Sequence, residues 1–246
     1  MRTTLFNFRA GGRRAPALLF ALAAVALTSA CAQTQSAGPE VTLDRSGAVS
    51  VLLMPADVEL SLLTTGGALE PNAEWTEQGR QNVIAALKEE MAERSIETVS
   101  YADDSDPSYQ IASQDEQLVK LHEAVGNAII LDRYIPGNAL PTKKNRFDWT
   151  LGEGVHQLRD AHRARYALFV FARDSFSSDG RVALSIAMAL LGVSVQGGQQ
   201  LAFASLVDLE TGNVLWFNLL RSTVGDLRDP KQAGQAVDQL LKSSPL

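Results

Sequence analysis

Residues 166–172 read Tyr-Ala-Leu-Phe-Val-Phe-Ala, a continuous apolar run that is the clearest β-strand in the sequence. Farther along, residues 201–209 read Leu-Ala-Phe-Ala-Ser-Leu-Val-Asp-Leu, and residues 213–220 read Asn-Val-Leu-Trp-Phe-Asn-Leu-Leu. Between these two runs stand Glu210, Thr211 and Gly212, and the glycine tolerates the positive φ of a tight turn. The two runs therefore predict a β-hairpin, which follows the first strand in the chain.

Amphipathic helices are predicted around these strands. Residues 49–54 form a further short apolar run, typical of a buried strand. Trp75, Val83, Leu87 and Met91 recur at multiples of four, which predicts a helix over residues 72–95 with one buried face. Residues 60–70 are expected to form a loop, and further helices are predicted over residues 113–134, from residue 150 and from residue 229. This order favours an α/β fold, a single domain with a mixed β-sheet flanked by amphipathic helices.

One apolar segment, residues 182–195, fits two interpretations. It is apolar almost throughout but only about 14 residues long, short of the roughly 20 that a membrane-spanning helix needs. We expect a buried helix. Contact with a membrane or a partner is the alternative.

The first thirty residues have the composition of an export signal. They contain four arginines and no acidic residue, and residues 15–27 form an apolar run of about 13 residues, too short to anchor the chain as a helix. Thr28, Ser29, Ala30 and Cys31 follow, and Cys31 is the only cysteine in the chain. Cleavage of a signal peptide is therefore predicted near this point.

Residues 27–31, Leu-Thr-Ser-Ala-Cys, resemble the lipobox of bacterial lipoproteins. Thr28 stands where that motif more often has Leu, Val or Ile. The resemblance implies that Cys31 becomes the first mature residue and carries acyl chains such as palmitate. Ala32 is not Asp, which by the same resemblance implies sorting to the periplasmic face of the outer membrane. The alternative is a secreted protein that is cut near Ala30 and keeps a free thiol.

The chain is thus predicted to have three parts: a lipoprotein signal peptide over residues 1–30, a flexible tether over residues 31–47, and an α/β periplasmic domain over residues 48–246. The tether is predicted because Gln, Ser, Thr, Ala and Gly predominate there without an apolar period. Removal of the signal leaves 18 basic and 28 acidic residues, a net charge of −10. This charge argues against nucleic-acid binding, and it requires acyl chains rather than a basic patch for membrane attachment.

The order of strands and helices, with a hairpin reading Val-Asp-Leu-Glu-Thr-Gly-Asn-Val-Leu-Trp over residues 207–216, is similar to that of periplasmic lipoproteins of the curli-secretion and penicillin-binding-protein-activator type. Only the hairpin residues match at the level of a motif. The resemblance implies a non-enzymatic role in the assembly of the cell envelope.

The three histidines do not form a recognisable site. His156 and His162 are six residues apart, which places them on opposing sides of a helix rather than on one metal-binding face. His162 is expected to pack on the apolar stripe of its helix. His122 is expected at the surface.

Two groups of acidic residues complete the candidates for chemistry. Asp103, Asp104 and Asp106 lack the spacing of a calcium loop, so a solvated turn is expected. Asp174 and Asp179 follow the strand at residues 166–172, where α/β sheets often bind ligands, but their serine and glycine neighbours favour a polar loop. No catalytic, cofactor-binding or metal-binding residue is predicted, and lipidation of Cys31 is the one predicted modification.

The sequence thus favours a lipid-anchored binding or scaffold lipoprotein of the periplasm, which needs no cofactor and contacts the membrane through its lipid and another envelope protein or the cell wall. A secreted or periplasmic enzyme that uses Asp174, Asp179 or a histidine is a second hypothesis. A third is a component of an outer-membrane secretion assembly, with residues 182–195 in a membrane oligomer.

Overall fold

The computed structural model describes residues 32–39, 43, 50–101 and 113–246. The predicted signal peptide, Cys31, and the acidic group Asp103, Asp104 and Asp106 lie outside these residues. The strands are β1 (Gln33–Ala37), β2 (Ser50–Leu53), β3 (Asp57–Leu63), β4 (Leu69–Pro71), β5 (Glu97–Ser100), β6 (Tyr166–Ser177), β7 (Gln200–Asp208) and β8 (Val214–Ser222). The α-helices are α1 (Ala73–Glu93), α2 (Ser113–Tyr134), α3 (His156–His162), α4 (Asp179–Ala189) and α5 (Pro230–Leu241), and a short 3₁₀ turn, Glu153–Val155, precedes α3.

Strand β6 lies at the centre of one mixed sheet. On one side β6 pairs with β7, which pairs with β8, and all these ladders are antiparallel. On its other side β6 pairs in parallel with β2 near its start and with β3 over residues 171–177. The order across the sheet is β1-β8-β7-β6-β2-β5, with β4 paired to β3. The predicted α/β fold with a mixed sheet is confirmed.

Helices cover both faces of the sheet, because side chains alternate between the faces along each strand. On one face, α1 and α5 pack their buried side chains, such as Leu87 and Val237, against Leu168 and Val170 of β6. On the other face, α2 and α3 pack against the residues of β6 in between, such as Phe169. Two cores therefore hold the sheet in place, as the predicted amphipathic helices require.

The loop predicted over residues 60–70 is wrong at both of its ends. Strand β3 extends to Leu63, and β4 begins at Leu69. Val58 and Leu60 of β3 are buried against α1, and their spacing of two is the pattern of a strand. β3 takes over from β2 as the parallel partner of β6. Pro55 stands between the two strands, and its missing N–H ends the pairing of β2.

The tether predicted over residues 31–47 needs a correction at residues 33–37. These residues form β1, an edge strand that pairs antiparallel with β8 from Gln33 opposite Arg221 to Ala37 opposite Phe217. Strand pairing uses backbone N–H and C=O groups, so polar side chains do not prevent it. Leu43, in the same predicted tether, is buried at 4% exposure. The compact unit accordingly begins at Ala32 rather than at residue 48.

The expected burial of residues 182–195 is also wrong. Helix α4 has no buried residue, and Leu190 and Leu191 beyond it are 85% and 75% exposed. The segment follows β6 past the end of the sheet, where neither core face extends to cover it. Among the described residues, no helix is both long enough and apolar enough to cross a membrane.

His122 is buried rather than at the surface, with 1% of its area exposed. Its ring lies 5.2 Å from those of Phe169 and Phe203, and Nε2 is 2.9 Å from Oγ of Ser205 on β7. Leu121 is the residue that faces outward, at 40% exposure. The inner face of α2 therefore includes His122 and not Leu121, and a hydrogen bond to Ser205 makes a buried histidine tolerable there.

Gly126 provides a test of the packing between α2 and the sheet. A Cβ at this position would overlap the ring of Phe203, whereas a Cβ at Gly234 of α5 meets no atom within 4 Å. We expect Gly126→Ala to lower the free energy of unfolding by about 1–3 kcal/mol through overpacking. The matched change Gly234→Ala should raise that free energy by about 0.5–1 kcal/mol. Urea unfolding measures both, and equal effects of the two changes would contradict this packing.

Candidate functional site

A polar cleft of about 310 Å³ lies at the end of the sheet where β6 ends and β7 begins. Three segments form it: the last residues of β6, the residues that lead into β7, and the loop between β8 and α5. The polar side chains that line the cleft are Asp174, Ser175, Ser177, Gln199, Gln200, Thr223 and Arg228. Its volume is at the lower end of the range of small-molecule sites.

Asp174 is the buried acid of this cleft, with 4% of its area exposed. Its Oδ2 accepts hydrogen bonds from the backbone N–H of Leu227 (3.2 Å) and from Nε2 of Gln200 (3.3 Å). Burial raises the pKa of Asp174 to about 6, although these hydrogen bonds favour the ionised form. The charge of Asp174 therefore changes near pH 6, well above the pH at which an ordinary surface aspartate ionises.

Arg228 is the cation of the cleft, and three groups hold its guanidinium. Nη2 lies 2.7 Å from Oδ2 of Asp226, and Nε lies 2.9 Å from Oδ1 of the same carboxylate. The guanidinium carbon is 3.7 Å from the ring centre of Phe176 and 4.5 Å from that of Trp75. Such a cation is preorganised by its ion pair and by the two rings, so a ligand in the cleft meets it in a fixed position.

These groups suit hydrogen bonding to a small polar molecule. The cleft offers hydroxyl groups, amides, a guanidinium and a carboxyl group whose charge changes near pH 6. The described residues contain no cluster of three histidine, cysteine or acidic side chains that could bind a metal ion.

The two acids predicted beside this strand are separated by the structure. The polar loop predicted after residue 172 is wrong for Asp174, because β6 continues to Ser177 and carries Asp174 within it. Asp179 is exposed in the first turn of α4. The side chain of Ser178 caps that helix by accepting a hydrogen bond from the N–H of Arg181. Only Asp174 belongs to the cleft.

The histidines have separate neighbours, and none lines the cleft. Nε2 of His156 lies 2.9 Å from the carbonyl oxygen of Glu210, and the ring of His162 lies 5.0 Å from that of Tyr101. His122 and Ser205 are within hydrogen-bond distance, the arrangement of a base and a nucleophile. Each is only 1% exposed, and burial lowers the pKa of His122 to about 3. A substrate cannot reach this pair, and a histidine with that pKa is a weak base.

A second charged cluster holds α2 on the sheet. Nζ of Lys120 is 2.7 Å from Oδ2 of Asp57, and Nη1 of Arg173 is 3.0 Å from its Oδ1. Burial raises the pKa of Asp57, but the hydrogen bonds from Lys120 and Arg173 outweigh burial and leave the pKa below its ordinary value. Glu123 of α2 is the second acid of the cluster, 3.5 Å from Nζ of Lys120 and 3.6 Å from Nη2 of Arg173. Two acids and two bases therefore neutralise one another in a structural contact between α2, β3 and β6.

Sequence patterns did not indicate Gln200, Leu227 and Arg228 as partners in the cleft. Gln200 is opposite Asp174 in the β6–β7 ladder, and a register of this kind depends on tertiary pairing. Leu227 and Arg228 come from a loop that is more than fifty residues farther along the chain than Asp174. The one available signal for this loop was its charged sequence, Asp-Leu-Arg-Asp over residues 226–229. Such a sequence also fits an ordinary polar turn.

Comparisons with known proteins do not place the chain in a family. No protein-family model matches it, and no curated protein matches it. Among solved structures, it is similar to the PelC dodecamer from Paraburkholderia phytofirmans at 13% identity and a TM-score of 0.38, over 87% of this chain and 96% of that chain. A leucine-to-methionine variant of that dodecamer matches with the same identity and TM-score, over 88% and 98%. A TM-score this low carries no conclusion about fold or function.

The raised pKa of Asp174 predicts a pH dependence of stability. The folded protein favours the protonated carboxyl, so this stabilisation is fully present below about pH 4 and is lost as the pH rises through about 6. Asp174→Asn should remove this dependence, which amounts to about 2–3 kcal/mol between pH 4 and pH 7.

Urea unfolding of the native chain and of Asp174→Asn across this pH range measures the effect. His122 contributes a pH dependence of the opposite sign to both proteins, so the difference between their free energies of unfolding removes it. The exposed acid of α5 supplies the control, because Asp238→Asn leaves Asp174 in place and should keep the native pH dependence. Parallel curves for the native chain and Asp174→Asn would show that Asp174 has an ordinary pKa.

Proposed function

We propose that this chain is a lipoprotein of the bacterial cell envelope that acyl chains on Cys31 attach to the periplasmic face of the outer membrane. Its role there is to bind or scaffold another envelope component rather than to catalyse a reaction. The observation that carries the proposal is the position of the only cysteine, directly after a cationic segment, an apolar run and two small residues.

The fold supports attachment without a long tether. Gln33, the first residue of β1, stands two positions after Cys31 in the chain. Two residues span at most about 7 Å, so acyl chains on Cys31 would hold the edge of the sheet close to the lipid surface. The net charge of −10 after processing makes electrostatic binding to anionic lipids unfavourable, which leaves acylation as the means of attachment.

The polar cleft supports a binding role for the domain. Its fixed guanidinium on Arg228 and its carboxyl group on Asp174 offer charged hydrogen-bond partners at defined positions. A polar group of an envelope protein or of the cell wall fits this chemistry. One observation favours an enzyme as the second candidate, namely the raised pKa of Asp174, because such pKa values are common among general acids and bases.

Replacement of the cysteine tests the proposed attachment. When the full chain is expressed in a Gram-negative host, Cys31→Ala should remove acylation and lower the amount that stays in carbonate-washed membranes by about tenfold or more. The chain should then be soluble in the periplasm or remain unprocessed.

Ser29→Ala is the matched control, because it keeps a small residue beside the cleavage point and should leave the membrane fraction unchanged. Retention of Cys31→Ala in washed membranes after the signal peptide has been cleaved would contradict the proposed anchor.

A further inference from the structure

The apolar arm, which we define as residues 182–193, is the largest exposed apolar feature of the described chain. It comprises most of α4 and the turn after it. Ile186, Leu190 and Leu191 are 61%, 85% and 75% exposed, and Val182 and Val193 are 46% and 45% exposed. Clustered apolar surface of this kind on a soluble domain is typical of a site for a membrane or another protein.

The arm also lacks charged side chains, which strongly oppose entry into lipid. No residue from Val182 to Gln199 is charged. The end of α4 is closed by backbone hydrogen bonds from Val193 to Met188 (3.0 Å) and from Gly192 to Ala189 (3.0 Å), with Gly192 at a φ of +75°. This is a Schellman closure, which satisfies carbonyl groups that would otherwise be left without partners at the helix end. Satisfied backbone groups are what a segment needs in an apolar solvent.

Strand register places the start of β1 and the arm at the same end of the sheet. Gln33 pairs with Arg221, Arg221 with Leu201, and Leu201 with Arg173, so these four residues form one row across β1, β8, β7 and β6. Three strand spacings separate β1 from β6, about 14 Å. The chain enters β1 at this row, whereas β6 passes it and leads into the arm. Gln33 stands two positions after Cys31 in the sequence, and two residues span at most about 7 Å.

Two further exposed apolar side chains lie at the same end. Leu69 is 59% exposed and is opposite Leu63, which in turn is opposite Ser177 at the end of β6. Val224 is 45% exposed and follows the end of β8. The hairpin turn at Thr211 lies at the opposite end of the strands and has no exposed large apolar side chain. Seven of the ten large apolar side chains that are exposed among the described residues therefore lie at the end that carries the arm, and the other three, Leu121, Leu131 and Leu140, belong to α2 and the loop after it.

A side-chain clasp fixes the base of the arm. The guanidinium of Arg181 donates hydrogen bonds to the carbonyl oxygen of Gln196 at 2.8 and 3.0 Å, and to that of Thr65 at 3.3 Å. These bonds tie the two ends of the segment to each other and to the loop between β3 and β4. The arm is therefore held in a defined direction rather than folded back on the sheet.

We propose that the apolar arm inserts into the interfacial layer of the membrane leaflet that holds the acyl chains of Cys31, which gives the domain a second, non-covalent contact with lipid. This inference rests on the proposed function, because Cys31 supplies the first contact. A membrane suits the arm better than a second copy of the chain does, since the anchor already holds this end of the sheet at a lipid surface. The length of the arm, about three helical turns, suits insertion along the surface rather than across the bilayer.

The test uses the chain that begins at Cys31, which retains the whole compact unit of Ala32–Leu246. Its cysteine thiol is coupled to vesicles of phosphatidylethanolamine and phosphatidylglycerol that contain a maleimide lipid, so the anchor is supplied chemically. Leu190→Trp places a reporter at the tip of the arm, and Glu210→Trp places the control reporter at the opposite end. Lipids with brominated acyl chains quench a tryptophan that enters the bilayer.

We expect quenching of the Leu190→Trp reporter to be about threefold or more stronger than that of the Glu210→Trp reporter, after the signal of the native tryptophans is subtracted, and to persist at one chain per vesicle. Addition of Ile186→Ser and Leu191→Ser to the reporter chain should abolish this quenching. Both side chains are exposed, so these changes should leave the circular dichroism spectrum unchanged.

Equal, weak quenching of the two reporters would overturn the insertion. Protection of the Leu190→Trp reporter that appears only at high surface density and does not respond to bromine would overturn it in favour of a second copy. Because the anchor is chemical, quenching remains interpretable if Cys31 is not acylated in cells. In that case the proposed function fails, and the affinity of the arm for lipid stands by itself.

Discussion

The register of the antiparallel ladder from β6 through β7 and β8 to β1 is the constraint on which the rest of the structure depends. A shift of one residue in any of these pairings would turn the side chains to the wrong face and disrupt one of the two cores. The observed register places Asp174 opposite Gln200 and Gln33 opposite Arg221. It therefore determines that the buried acid, the entry of the chain and the exposed arm share one end of the molecule.

That end combines a polar cleft with an exposed apolar arm. The cleft contains a carboxyl group with a pKa of about 6, and the neighbouring arm carries aliphatic side chains at up to 85% exposure. Exposure of such side chains to water is unfavourable, and their burial would return roughly 1.5–3 kcal/mol for each large one. In our account, lipid covers the arm and the cleft stays accessible to an envelope component held close to the membrane.

The sequence predicted the elements that depend on local pattern. The strand at Tyr166 and the hairpin that turns at Gly212 are present because apolar runs and a turn glycine act over a few residues. The strand at Gln33 was missed because its pairing uses only backbone groups. The burial of His122 was missed because it depends on how α2 is rotated against Phe169 and Phe203. In the cleft, Asp174 was considered from its place after a strand, whereas Arg228 is brought there by a distant loop.

The mass of the N-terminal peptide of the protein purified from its native membrane tests the central claim most directly. The account predicts a peptide that begins at Cys31 and carries a diacylglyceryl group on its sulfur, with a mass increase that hydrolysis of the acyl esters reduces. A peptide that begins at or before Cys31 with an unmodified thiol would contradict the claim that lipid holds this end of the sheet.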